Sequence, residues 1–85
     1  MPRNAAFSYG RYEESSMRYF KIKGDYITLG QLLKATDIAQ DGADAKYMIL
    51  NGEASVNGET ETRRGRKLYD GDVVSCGKET VQVKQ

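Results

Sequence analysis

The sequence predicts an α+β domain in which two short helices pack on a small, mostly antiparallel sheet of three to five short strands. A β-favouring segment comes first, two segments with apolar residues at helical spacing follow, and short β-branched runs separated by Gly turns complete the chain. The 85 residues suit one domain with a small core, because such a chain buries only somewhat over ~60% of its unfolded surface.

The first predicted element is a strand over residues 18–23, which ends at Gly24-Asp25. Residues 1–16 precede it without clear periodicity, and we interpret them as a flexible or loosely docked tail. The domain itself is therefore expected to span residues 17–85.

A first short helix follows this strand. Thr28 and Gln31 have the spacing of a capping box, which makes Thr28 the expected N-cap. The apolar face of the helix is formed by Leu29, Leu32 and Leu33, with Thr36 closing it. Lys34 lies off that face and is expected to point into solvent.

A second short helix is predicted to begin at Asp41 and to end at Asn51-Gly52. Asp41 and Asp44 suit the positive end of its dipole. Its apolar stripe is Ala45, Met48 and Ile49. Lys46 lies beside the stripe, on the exposed side of the helix.

The remaining elements are short strands at residues 54–56, 73–76 and 80–83. Asn57-Gly58 is a strong signal for a tight turn after the first of them, and Asp70-Gly71 predicts a second turn. A polar, charged loop lies between these two turns.

Composition excludes several classes of function. The chain has one Cys and no His, so it forms no internal disulfide and no zinc site of Cys/His type. Cys76 has no His to activate it, and Asp70 and Asp72 are better explained by a turn than as an acid/base pair. We expect no catalysis, no cofactor and no metal. Because no apolar run approaches the ~20 residues of a membrane span, we expect a cytoplasmic protein.

The charged loop carries the main candidate site. Four cations, Arg63, Arg64, Arg66 and Lys67, occupy five positions around Gly65, although the net charge is only +1. The guanidinium group of arginine can donate two parallel hydrogen bonds to the oxygens of one phosphate. The loop is therefore a candidate phosphate-binding patch. The alternative is a solvated, balanced loop, since the stretch from residue 59 to 72 has zero net charge. Its acids flank the cations in the sequence without alternating with them.

Other residues extend this hypothesis, each with a structural alternative. Lys34 and Lys46 would extend the phosphate-binding patch along the helix pair or simply aid solubility. Asn57 would contact the ligand or, as the turn requires, only shape the hairpin. Among Tyr19, Tyr26, Tyr47 and Tyr69, we predict Tyr47 to be a core residue, and Tyr69 is the best candidate for stacking on a base.

The run from Ile27 to Val74 resembles the RNA-binding domain named after ribosomal protein S four, the alpha-L motif. The resemblance rests on the Leu-rich helix, the second helix with Ala45 and Lys46, and then Asn51-Gly52, Val56-Asn57-Gly58 and Gly71-Asp72-Val73-Val74. Residues 57–59 and 63–68 are similar to the signature of the small stand-alone bacterial group typified by YaaA and YbcJ.

This resemblance implies a protein that binds structured RNA, ribosomal or transfer, in ribosome assembly or translation. It also implies that the two helices line the RNA face. Many members begin the first helix with Arg-Leu-Asp and the second with Ser-Arg, where this chain has Thr28-Leu29-Gly30 and Asp41-Gly42. The basic loop would therefore carry more of the interaction. A protein-interaction module that docks an acidic partner through this loop is the alternative.

Overall fold

The fold is known from a computed structural model, which describes residues 17–85. The predicted tail, residues 1–16, lies outside the described residues. In chain order the elements are β1 (Met17–Lys21), β2 (Ile27–Thr28), α1 (Leu29–Ala35), α2 (Gly42–Leu50), β3 (Ala54–Val56), β4 (Glu59–Thr60), β5 (Lys67–Leu68), β6 (Val73–Cys76) and β7 (Glu79–Lys84).

Five of the strands form one mixed sheet in the order β1-β7-β6-β3-β4. All pairings within it are antiparallel except that of β1 with β7, which is parallel, with Met17 opposite Thr80 and Lys21 opposite Lys84. The predicted α+β class and mostly antiparallel sheet are confirmed. The N-terminal strand thus pairs with the C-terminal strand of the described chain.

Strands β2 and β5 form a separate two-stranded antiparallel sheet, in which Ile27 pairs with Leu68 and Thr28 with Lys67. This ladder joins the start of α1 to the end of the charged loop. It therefore fixes that loop beside the helix pair.

The helix caps follow the sequence prediction. Thr28 and Gln31 form the complete capping box of α1, and the Asp41 side chain caps α2 by accepting from the Asp44 N–H. Asn51 is the C-cap of α2, and Gly52 follows with a φ of 79°. Local signals within four residues thus set the bounds of both helices.

One hydrophobic core joins both sheets to both helices. Its fully buried large side chains are Leu29, Leu32, Leu33, Ile49, Val56, Leu68, Val74, Val81 and Val83. The helices between residues 17 and 85 include none that is long and apolar enough to span a membrane.

The prediction that Tyr47 belongs to the core is wrong, because its side chain is 64% exposed. Ala45 and Ile49 are the buried residues of α2. Tyr47 lies two positions from each, and two residues rotate a helix by about 200°, so its side chain points to the opposite side.

Candidate nucleic-acid interface

The basic loop, residues 61–67, is attached to the first turn of α1 by backbone hydrogen bonds. The Leu29 N–H donates to the Arg66 carbonyl oxygen and the Gly30 N–H donates to that of Arg64, each at 2.9 Å. N–H groups in the first turn of a helix have no acceptor within the helix, and the loop supplies two. The loop backbone is thus held in place.

Glu61 organises the cations of this loop. Its side chain is only 9% exposed, and it accepts from Arg63 Nε at 2.9 Å and from Arg66 Nη1 at 2.7 Å. Glu61 also accepts from the Arg63 backbone N–H at 3.1 Å and from Arg63 Nη2 at 3.2 Å. The hydrogen bonds from Arg63 and then Arg66 lower the pKa of the Glu61 carboxyl to about 2, although burial opposes this shift.

The acids therefore do not simply flank the cations in the folded chain. Glu61 lies between the guanidinium groups of Arg63 and Arg66, and its hydrogen bonds also raise the pKa of Arg63. These two arginines are partly neutralised by one buried carboxylate. The alternative interpretation, a loop with balanced charge, thus applies to Arg63 and Arg66, which are two of its four cationic residues.

Arg64 has a different environment, since it lines two neighbouring depressions beside the helix pair. The larger, of about 230 Å³, also includes Lys34, and the smaller, of about 70 Å³, includes Lys46. Among the described residues, these three cations form no ion pair. We call the surface formed by Lys34, Arg64 and Lys46 the basic surface.

The sequence did not indicate several residues that line these two depressions beside the basic surface. Thr28, Gln31 and Gly30 line the larger depression and Thr62 the smaller. Thr28 and Gln31 were identified only as cap residues. Their place beside Arg64 follows from the docking of the loop on α1. No local sequence pattern predicts that docking.

Lys67 lies at a second, aromatic location. Its Nζ is 4.9 Å from the centroid of the Tyr26 ring, and the ring of Tyr26 is 6.0 Å from that of Tyr69. Both tyrosines are about half exposed, at 46% and 49%. Tyr69 is thus accessible, as a stacking residue must be, and it has an aromatic neighbour.

Asn57 has the environment that the turn interpretation requires. Its φ is 53°, and that of Gly58 is 89°. Its side-chain Nδ2 donates to Asp72 Oδ1 at 3.1 Å, and its Oδ1 accepts from the Val73 N–H at 2.9 Å. The amide nitrogen and the amide oxygen of Asn57 therefore both form hydrogen bonds within the fold.

The residues considered for catalysis have structural partners. Asp70 accepts from the Gln85 N–H and Asp72 from the Tyr69 N–H, each at 2.8 Å. Cys76 is buried, which raises the pKa of its thiol, as do the charges of Glu53 and Asp44. Between residues 17 and 85, no group of three or more His, Cys, Asp or Glu side chains is placed to hold a metal ion.

Comparison with known proteins shows the family of this chain. The family model of the S4 domain matches residues 20–84, which include every element from the end of β1 onward. The chain belongs to the S4 domain family. Its two helices, basic loop and hairpin turn are thus those of an S4 domain, the family of the alpha-L motif.

Two curated relatives of this S4 domain are small bacterial proteins. The "Probable ribosome maturation protein RlbA" of Bacillus subtilis (strain 168) is 53% identical over 53 residues, which cover 62% of this chain and 75% of RlbA. YbcJ of Escherichia coli (strain K12) is 38% identical over 61 residues, which cover 72% of this chain and 87% of YbcJ. The resemblance to the YbcJ group is confirmed.

A solved structure shows the same fold. The solution structure of YbcJ from E. coli, described as an alpha-L motif involved in RNA binding, matches with a TM-score of 0.64 and 31% identity. The match covers 92% of this chain and 98% of YbcJ. The arrangement of helices and sheet is therefore that of the alpha-L fold.

Proposed function

We propose that this S4 domain protein binds structured RNA without catalysis, and that its RNA is ribosomal RNA during ribosome maturation. The observation that carries this proposal is the position of Arg64, which lines one depression with Lys34 and the neighbouring one with Lys46. The name of RlbA supports the ribosomal target, and the description of YbcJ supports RNA as the ligand. Such a role belongs in the cytoplasm, where ribosomes are assembled.

The proposed mechanism is capture of the phosphate backbone by cations that are held in place. Arg64 presents its side chain from a loop whose backbone is bonded to α1, so little ordering is needed on binding. Lys34 and Lys46 extend the contact to either side. Lys67 adds a fourth cation, whereas the charges of Arg63 and Arg66 are partly neutralised by Glu61.

This arrangement makes a prediction about salt. Each neutralised phosphate contributes about −0.7 to −0.9 to the slope of log affinity against log salt, so four or five contacts give about −3 to −4. Phosphate contacts position an RNA but read little sequence. Specificity must therefore come from the shape of the RNA.

The experiment compares two neighbouring arginines in titrations of labelled ribosomal RNA fragments and transfer RNA. Arg64→Ala should weaken binding by about tenfold, because it removes a charge-assisted contact, and should make the salt slope shallower by about 0.7 to 0.9. Arg63→Ala is the matched control, because that guanidinium is already paired with Glu61. It should weaken binding less than threefold, because the charge that it removes is exposed to solvent and already partly neutralised.

Equal losses in the two variants would contradict the assignment of Arg64. Binding no tighter than that of a charge-matched control protein, even at ~50 mM salt, would overturn RNA binding itself. The cations of the loop would then be better explained by an acidic protein partner.

A further inference from the structure

The outer face of the two-stranded sheet carries an exposed aromatic pair with a lysine. Because Ile27 pairs with Leu68 and Thr28 with Lys67, the same antiparallel register places Tyr26 opposite Tyr69. The rings lie 6.0 Å apart at an angle of 50°, and Lys67 Nζ is 4.9 Å from the Tyr26 centroid. We call Tyr26, Lys67 and Tyr69 the tyrosine platform.

The platform is not needed to fill the core. On the inner face of the same ladder, Leu68 is fully buried and Ile27 packs against the core, whereas both tyrosines are about half exposed. The backbone of Tyr69 is held by the Asp72 carboxylate, which accepts from its N–H at 2.8 Å. The platform thus presents aromatic surface to solvent on a fixed backbone.

The platform adjoins the basic surface. Lys67 is the direct partner of Thr28 in the ladder, and opposite residues have Cα atoms about 4.5–5.5 Å apart. Thr28 in turn lines the larger depression together with Lys34 and Arg64. An RNA strand whose phosphates lie in that depression is therefore separated from the tyrosine platform by no more than one residue of the protein, Thr28.

We infer that the tyrosine platform receives an unpaired base of the RNA whose backbone lies on the basic surface. This inference rests on the proposed function and narrows its ligand to RNA in which a loop, bulge or end adjoins a helix. Unpaired bases stack on aromatic side chains in RNA recognition, whereas bases within a duplex are not available. The exposed contact of Lys67 with Tyr26 is weak, so the lysine is free to move to a neighbouring phosphate.

The test uses the full chain and two RNA probes with equal numbers of phosphates. One is a hairpin with an unpaired loop. The other is an uninterrupted duplex that contains the same stem sequence and is extended to the same number of phosphates. The variants are Tyr69→Leu and Tyr26→Leu, each compared with the corresponding Phe variant. Tyr19→Leu is the matched control, because Tyr19 is 64% exposed and has Lys84 Nζ 5.6 Å from its ring, but lies on β1 of the other sheet.

We expect the wild-type protein to bind the hairpin about tenfold more tightly than the duplex, as one stacked base would give. Each Leu variant should lose most of this preference without a change in the salt slope, since stacking carries no charge. The Phe variants and Tyr19→Leu should keep the preference. Thermal unfolding of every variant establishes that each is folded at the assay temperature, and the two Leu variants test the platform independently.

The outcomes separate the inference from the proposed function. If hairpin and duplex bind equally, with affinity that depends on Arg64, the platform assignment is wrong and RNA binding stands. A loss of hairpin preference in Tyr19→Leu equal to that in Tyr69→Leu would also overturn the assignment. If neither RNA binds, the proposed function fails, and the inference fails with it.

Discussion

At the scale of single residues, Glu61 decides which cations of the basic loop are available. One carboxylate, almost excluded from solvent, holds two guanidinium groups at 2.7 and 2.9 Å. The cluster restricts the side chains of Arg63 and Arg66, whereas the loop backbone is held by its hydrogen bonds to Leu29 and Gly30. Arg64, between the two, is left to face the helices.

This cluster predicts a pH dependence of stability. The pKa of Glu61 is about 2 in the folded chain and near 4.5 when unperturbed. A depressed pKa contributes stability that is complete above the unperturbed value and is lost as pH falls from about 4.5 to about 2. Glu61→Gln should therefore unfold at lower urea concentration than wild type at pH 7, and the difference should shrink towards pH 2.

Glu59→Gln is the control for this prediction. Glu59 is an exposed acid two positions before Glu61, and it forms no ion pair with the residues from 17 to 85. A difference between wild type and Glu61→Gln that stays constant from pH 7 to pH 2 would show that the arginine cluster does not stabilise the folded chain.

At the scale of elements, the hairpin turn between β3 and β4 is bonded to the segment where β6 begins. Asn57 and Gly58 both adopt positive φ. The Asn57 side chain bonds to Asp72, in the turn before β6, and to Val73, the first residue of β6. Two turns that are distant in sequence are thereby tied together. The Asn-Gly pair therefore does more than reverse the chain.

Asn57→Ala is expected to lower the free energy of unfolding by about 2 kcal/mol, because it removes two hydrogen bonds and places Ala at positive φ. Urea denaturation measures this change. Where the variant remains folded, its affinity for RNA should stay within about twofold of wild type, a change smaller than ~0.5 kcal/mol.

Asn51→Ala is the matched control for this turn. Asn51 also uses its side-chain amide, to bond Glu53 at 2.9 Å, but its φ is −81°. We expect a loss below about 1 kcal/mol for this variant. If Asn57→Ala retained full stability and lost RNA binding, Asn57 would be a ligand contact, as the alternative interpretation holds.

At the scale of the whole molecule, the two-stranded sheet is part of the common core. Leu68, from the strand that follows the basic loop, is fully buried together with leucines of α1 and valines of the main sheet. Because of this, the loop that carries Arg64 cannot detach from the helices without opening the core. The proposed binding surface and the stability of the fold are therefore coupled.

Leu68→Ala is expected to cost about 2–5 kcal/mol in the free energy of unfolding, the usual range for a buried leucine. Leu50→Ala is the matched control, because Leu50 is 62% exposed, and it should change the free energy by less than about 0.5 kcal/mol. Both are measured by urea denaturation. A second unfolding transition confined to the two-stranded sheet would contradict a single cooperative core.

Some features of the candidate site were predictable from the sequence and others were not. The cationic loop and the exposed positions of Lys34 and Lys46 are visible in the sequence, because charge and helical spacing are local properties. The pairing of Arg63 and Arg66 with Glu61 is not, since nothing in the order of residues says which acid turns inward. The contact of Tyr26 with Tyr69 likewise depends on a ladder between residues that are 39 and 41 positions apart.

The sequence by itself determined both helices and the four longer strands of this S4 domain, but not the two-residue strands β2, β4 and β5. The capping box of Thr28 and Gln31, the leucine spacing of α1, the Gly after α2 and the Asn57-Gly58 turn all act within about four residues, where backbone hydrogen bonding and side-chain spacing suffice. Only the tertiary structure decided that β1 pairs in parallel with β7 and that Arg64 lines a depression with Lys34 and another with Lys46. These depend on which surfaces pack together, and that choice is made by burial of the whole core at once.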